Sequence, residues 1–158
     1  MTDEARQRLG VQETELMGAL TGSSPAPPGM DPQRVAVTRR QLALKRVRVV
    51  GRAWPGLRQV LGQDLERVGF EVLAEIPMAA RDHAVVDGLA IGEHCCETDQ
   101  GGDAVRIALL DLRAQWIVRA GSVRRRRGPW LSVARLRDSG QLAVAARLGR
   151  THIWIFPP

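Results

Sequence analysis

The chain has 158 residues with an ordinary 44% hydrophobic content, enough for one globular domain or two small ones, and only six aromatics, four of them Trp, so its core must be built from Ala, Val and Leu. No apolar run reaches membrane-spanning length, the polar start is unlike a secretory signal, and the adjacent Cys95 and Cys96 offer neither a disulfide framework nor zinc-ligand spacing. A membrane-spanning helix and a secreted disulfide scaffold are therefore not expected, and the expected location is cytoplasmic. The formal charge of +6 rests on arginine, 22 of the 23 basic residues, and is uneven: residues 1–100 carry a net −2 and residues 101–158 a net +8. An acidic partner is therefore expected to meet the second part of the chain.

Asp3 to about Leu20 reads as an amphipathic helix, with Leu9, Leu16, Met17 and Leu20 toward a partner. The stretch Gly22–Gly29 (GSSPAPPG) is a proline-rich linker, bounded here as residues 22–30. Asp31 then caps a long helix whose first turn takes Pro32, where a missing N–H costs nothing. Leu44, Val47, Val50 and Trp54 form one apolar stripe of it beside Leu42, Val49 and Ala53. Lys45, Arg48 and Arg52 lie opposite and, with Arg39, form a candidate partner-docking basic face. Trp54-Pro55 breaks this helix, because Pro55 disfavours the α conformation at Trp54, and a short second helix restarts at Pro55 and stops at Gly62.

Leu65, Val68, Val72 and Ile76 predict a helix over residues 63–76, acidic on its outer side and able to neutralise part of the basic face. Asp82 is the expected cap of another, running to about Cys96 and packed through Val85, Val86 and Leu89. At Gln100-Gly101-Gly102 the period changes from 3.6 to 2. Val105–Leu109, Gln115–Ala120, Trp130–Leu136, Leu142–Leu148 and His152–Phe156 read as strands of one antiparallel meander, one face of which packs on the helices. The connection Gly121–Gly128 (GSVRRRRG) reads as a long basic turn.

Few residues invite chemistry. Cys95 and Cys96, with Glu93, His83 and His94, raise a metal reading, but adjacent side chains point about 100° apart on a helix and cannot share a tetrahedral ion without distortion. The same spacing keeps His94 from facing either thiol as a base, so both cysteines are expected to act as small hydrophobes at a helix end. Phosphate-binding glycine loops and the nucleophile-elbow motif are missing, and no catalytic residue, metal or cofactor is assigned. The binding signal is Arg124, Arg125, Arg126 and Arg127 followed by Gly128-Pro129-Trp130. Four guanidinium groups in a row suit phosphates or a carboxylate-rich peptide, with Trp130 as a flat surface beside them. Trp116 and Trp154 also fall in predicted strands and are candidates for lining side-chain pockets there. The plainer alternative is an exposed hairpin tip with solvated arginines, its tryptophans packed between sheet and helices.

The runs PPGMDPQRVAVTRRQ (27–41), AWPGLRQVLGQDL (53–65) and LAEIP (73–77) together resemble the bacterial family named for a DNA-binding helical domain. The resemblance covers roughly residues 12–96, and the arginine-rich variant is similar to its actinobacterial branch. Two motifs depart from the family pattern: Tyr-Arg-x-Asn stands here as Thr38-Arg39-Arg40-Gln41, and Gly-x-x-aromatic as Gly62-Gln63-Asp64-Leu65. The resemblance implies a partner protein of multinuclear non-haem iron-dependent oxidative enzymes of the methanobactin type, which modify ribosomally made peptides. Such a partner holds no iron and helps present the precursor peptide, in part by strand addition.

The expected architecture is α+β, with a helical domain over 1–99 and a small antiparallel β domain over 100–158. The expected function is a non-catalytic accessory or adaptor protein that binds an iron-dependent oxidative enzyme and its precursor peptide. The competing expectation is a DNA-binding transcriptional regulator, which the placement of the charge excess on strands disfavours, since a recognition helix should carry the phosphate contacts.

Overall fold

The computed structural model describes residues 3–78, 83–119 and 122–157. These form α1 (Asp3–Thr21), α2 (Pro32–Ala53), α3 (Pro55–Leu61), α4 (Asp64–Leu73), α5 (His83–Glu97) and α6 (Gly102–Gln115), followed by β1 (Trp116–Arg119), β2 (Ser122–Arg125), β3 (Trp130–Arg135), β4 (Leu142–Leu148) and β5 (Arg150–Phe156). The fold is thus α+β, a helical region followed by small antiparallel sheets. No helix among the described residues is long and apolar enough to cross a membrane.

Local rules set the helix bounds. The Asp31 carboxylate accepts from the Gln33 N–H at 2.9 Å, with Pro32 in the first turn of α2. Trp54 ends α2 outside the helical region, at φ −129° and ψ 79°, ahead of Pro55, and Gly62 ends α3 at φ 54°. The predicted cap Asp82 lies outside the described residues.

Two hydrophobic clusters share one helix. The larger gathers Val47, Val50 and Trp54 of α2 and its end, Leu57 and Leu61 of α3, Val68 and Leu73 of α4, Val85 and Ile91 of α5, and Val105 and Leu112 of α6. Trp54 is buried as expected, and it lies over Gly88, where a Cβ would stand 3.3 Å from the indole. The smaller cluster joins Leu110 of α6 to Leu136, Ala143 and Ala145, with Ile107, Trp130, Ala134 and Ile153 packed around it. The side of α6 away from the helical core is therefore the floor on which β3–β5 rest.

This overturns one strand assignment: Val105–Leu109 is helical, and the helices continue to Gln115 rather than ending near Gly101. The alternation of Val105, Ile107 and Leu109 is real, but it arises because α6 buries residues on two opposite sides. A helix apolar on both sides loses the 3.6-residue signal.

The single meander is also corrected. Among the described residues β1 pairs only with β2, and β3-β4-β5 form a separate sheet in that order. Gly128-Pro129 separates the two, since proline brings no N–H to a ladder. The basic connection is likewise shorter than expected, because Arg124 and Arg125 belong to β2, opposite Ile117 and Trp116.

α6 is locked to the β3–β4 turn by reciprocal carboxylates. Asp103 accepts from the backbone N–H of Ser139 at 3.0 Å, from its hydroxyl at 2.8 Å and from the Asp138 N–H at 3.2 Å. Asp138 in turn accepts from the Asp103 N–H at 3.0 Å.

Candidate functional site

In the three-stranded sheet the pleat sorts side chains to two faces. Trp130, Ser132 and Ala134 of β3 lie opposite Arg147, Ala145 and Ala143 of β4, and this face rests on α6. The other set is Leu131 and Val133 of β3, Leu142 and Val144 of β4, and Trp154 and Phe156 of β5, aligned by the pairs Val133–Val144, Val144–Trp154 and Leu142–Phe156. No element among the described residues covers it. Leu131 is 67% exposed, Val133 56%, Phe156 49% and Trp154 47%. His152 stacks on Trp154 with ring centroids 5.8 Å apart, which holds the indole across the surface. Isolated exposed apolar residues are ordinary, but a contiguous apolar sheet face marks an interaction surface. Among the described residues β5 is paired with β4 on one side only, so its other side presents backbone N–H and C=O groups.

The charges around this sheet are one-sided. Residues 116–157 contain nine arginines and a single acidic residue, Asp138, which is engaged by the α6 N-terminus. Among the described residues none of those nine arginines forms an ion pair, whereas Arg6, Arg8, Arg34, Arg46, Arg48, Arg67, Arg106 and Arg113 of the helical part all do. Arg124, Arg125 and Arg127 are exposed. Arg126 is half-buried: its backbone N–H donates to Gln115 at 2.7 Å, and its guanidinium sits over the Trp130 ring, 5.3 Å from the centroid. Its Nε is buried without a hydrogen-bond partner among the described residues. Burial, then the like charges of Arg147, Arg119 and Arg124, lower its pKa from the ordinary arginine value.

The three candidate tryptophans separate. Trp154 lies on the exposed face, Trp130 beneath Arg126 on the α6 side, and Trp116 against the helical core, where it lines a cavity of about 270 Å³ with Trp54 and Gln115.

Two of the four residues of the candidate basic face of α2 have partners within the chain. Arg39 donates to the carbonyl of Ala74 at 2.6 Å and its guanidinium lies against Gly22, so it caps the end of α4. Arg48 pairs with Glu66 at 3.2 Å, as the acidic outer side of α4 suggested. Lys45 and Arg52 are exposed, and Arg52 joins Arg48, Arg58 and Glu66 around a cleft of about 610 Å³ between α2, α3 and α4.

The sequence reading missed Arg46. Its guanidinium is buried, donating to both oxygens of the buried Asp87 at 3.0 and 2.7 Å and to the carbonyls of Leu73 and Ile76 at 3.1 and 2.9 Å. A signal was present: Arg46 sits three residues after Ala43 and four before Val50, on the stripe that must face inward.

Cys95 is buried in the helical core, and burial pushes its thiol up to about 11, with Cys96 adding to the rise and Arg67 opposing it. Burial also raises the pKa of the half-buried Cys96. Neither has the electropositive, lowered-pKa setting of a reactive thiol. Among the described residues no three His, Cys, Asp or Glu side chains gather where they could hold a metal ion.

Residues 10–97, more than half of the chain, match the family profile described as SCO6045-like, C-terminal domain. The chain is also similar to a UPF0276 protein of Streptomyces avermitilis, 32% identical over 133 residues. That alignment takes in 84% of this chain, and so part of the sequence beyond Glu97, but only 26% of the longer relative. No solved structure matches the chain.

Proposed function

Because the chain belongs to the SCO6045-like, C-terminal domain family, we propose that it is an accessory module that serves a larger polypeptide. In this reading it is a non-catalytic adaptor that binds an iron-dependent oxidative enzyme together with that enzyme's ribosomally made precursor peptide. The family's description speaks of a C-terminal domain, and the segment similar to this chain is 26% of the UPF0276 relative. Both facts support a module whose natural neighbour is another domain.

The observation that carries the reading is the uncovered apolar face of β3-β4-β5 with the unpaired side of β5 beside it. An extended peptide laid along β5 gains main-chain hydrogen bonds from that edge, and its alternate side chains reach Trp154 and Phe156. Nine arginines that form no ion pair among the described residues would favour an acidic occupant and speed its approach.

Those arginines also favour a second reading, contact with nucleic-acid phosphates. They lie on strands and in turns rather than along a helix, so such binding would be weak, indifferent to sequence and strongly salt-dependent. A gel shift with one preferred duplex at physiological salt would favour the regulator instead.

The adaptor reading is tested by co-elution and titration calorimetry with the oxidative enzyme encoded beside this chain and with its precursor peptide. The parent should bind both, and the exposed-face variant Trp154→Ser with Phe156→Ser should lose the peptide while melting like the parent. A chromosomal setting without such an enzyme, or a parent protein that binds neither, overturns it.

A further inference from the structure

We propose that Arg119, Arg124, Arg126 and Arg147, grouped around Trp130, are a binding site for an extended peptide segment with acidic side chains at alternate positions. The proposal rests on the adaptor reading above and names the chemistry of the segment that the module holds.

The register brings these residues together. Arg119 of β1 and Arg124 of β2 lie on one face of the β1–β2 hairpin, through the pairs Arg119–Ser122 and Ile117–Arg124. The bond from the Arg126 N–H to Gln115 continues that ladder by one step, so Arg126 falls on the same face, two residues beyond Arg124. The opposite face, with Trp116 and Val123, is turned to the helical core. Arg126 then reaches over the Trp130 ring, and Trp130 is the cross-strand partner of Arg147. Arg126, one residue past β2, and Arg147 of β4 thus flank one indole, Arg119 and Arg124 are close enough to Arg126 to act on its charge, and none of the four forms an ion pair among the described residues.

Apart from the contact of Arg126 with the Trp130 ring, the cluster costs the fold like-charge repulsion and a buried Nε without a partner. The lowered pKa of Arg126 has the same origin, burial followed by the three neighbouring guanidiniums. A bound anion would relieve the like-charge repulsion. Its form follows from the spacing: Arg124 and Arg126, two strand positions apart, stand about 6–7 Å from each other, and Arg119, opposite Ser122, lies one such step further along the hairpin. One compact oxyanion cannot engage them all, whereas an extended chain with carboxylates at alternate positions offers one to each. Stacking on Trp130 occupies the face of the Arg126 guanidinium, so a carboxylate would engage its two terminal nitrogens, the Nε being buried.

The test is fluorescence anisotropy on the whole chain. One labelled peptide carries glutamate at every second position, and a composition-matched peptide carries the same glutamates in one block. Inorganic phosphate and a short DNA duplex serve as competitors. The alternating peptide should bind more tightly than the block, resist inorganic phosphate, and lose about tenfold in affinity in the paired variant Arg126→Gln with Arg147→Gln, with a flatter salt dependence. If that pair melts early, Arg119→Gln with Arg124→Gln, both exposed, carries the same expectation. Equal binding of the two peptides, tighter binding of the duplex, or arginine variants that bind like the parent would overturn the site. Titration with precursor peptide and enzyme separately decides which of them supplies the segment. Arginine variants that still bind both like the parent sink the site and leave the adaptor reading standing. A parent that binds the alternating peptide but neither natural partner does the reverse.

Discussion

Arg46 and Asp87 face each other across the helical core as a fork-to-fork ion pair, Nε and Nη2 on the two carboxylate oxygens at 3.0 and 2.7 Å, with both side chains almost wholly out of solvent. The third nitrogen, Nη1, holds the carbonyls of Leu73 and Ile76, so one guanidinium ties α2 to α5 and closes the end of α4. Asp87→Ala leaves that cation buried without its partner and should cost about 3–5 kcal/mol in a denaturant melt. Replacing both residues, Arg46→Met with Asp87→Leu, should cost clearly less, because no charge is then stranded. A double variant as unstable as the single one would mean that the pair stabilises the core by more than mutual neutralisation.

The indole of Trp54 fills the angle between α2 and α3 and lies on the glycine face of α5 at Gly88. Trp54→Ala should cost roughly 3–5 kcal/mol. Gly88→Val should also destabilise, since a Cβ alone already stands 3.3 Å from the ring. Denaturant melts that move by less than about 1 kcal/mol in the tryptophan variant would contradict this packing.

The joint between α6 and the β3–β4 turn depends on pH. Desolvation pushes the Asp103 carboxyl up, but the hydroxyl and backbone donors of Ser139 and Asp138 outweigh it and hold the group below the usual carboxylate range. A carboxyl whose folded pKa is depressed contributes stability above its unfolded value, and this is lost as pH falls through the folded value. The loss should begin below about pH 4. Melts of Asp103→Asn should show a flatter acid limb than the parent; parallel limbs would remove Asp103 as a contributor.

The two cysteines should be slow to alkylate in the folded protein at neutral pH, Cys95 the slower, and fast once it is unfolded. For Cys95 the raised folded pKa means that its stability contribution is intact below the unfolded thiol value of about 8.5. That contribution is then lost as pH rises toward about 11. Mass spectrometry after timed iodoacetamide treatment checks the first part. A Cys95→Ala variant with a flatter alkaline limb checks the second.

What the amino-acid sequence determined by itself is the local punctuation. Asp31-Pro32, Trp54-Pro55 and Gly62 bound α2 and α3 because capping and proline sterics act within a few residues. The alternation in Leu142–Leu148 sets β4 with its expected limits because a half-buried strand sorts its side chains by position alone. The contrast between a mildly acidic helical part and an arginine-rich end was equally plain. Tertiary structure decided the rest. Residues 102–115 are a helix only because one side of them meets the helical core and the other meets a sheet, and no local window contains both partners. Which charges are left unneutralised was likewise undecided, because pairing depends on contacts between residues far apart in the chain. Arg39 is drawn onto the end of α4, and Arg48 pairs with Glu66 at the surface. Arg126, one of four identical neighbours in a row, is set apart only because Trp130 from the next strand slides beneath it.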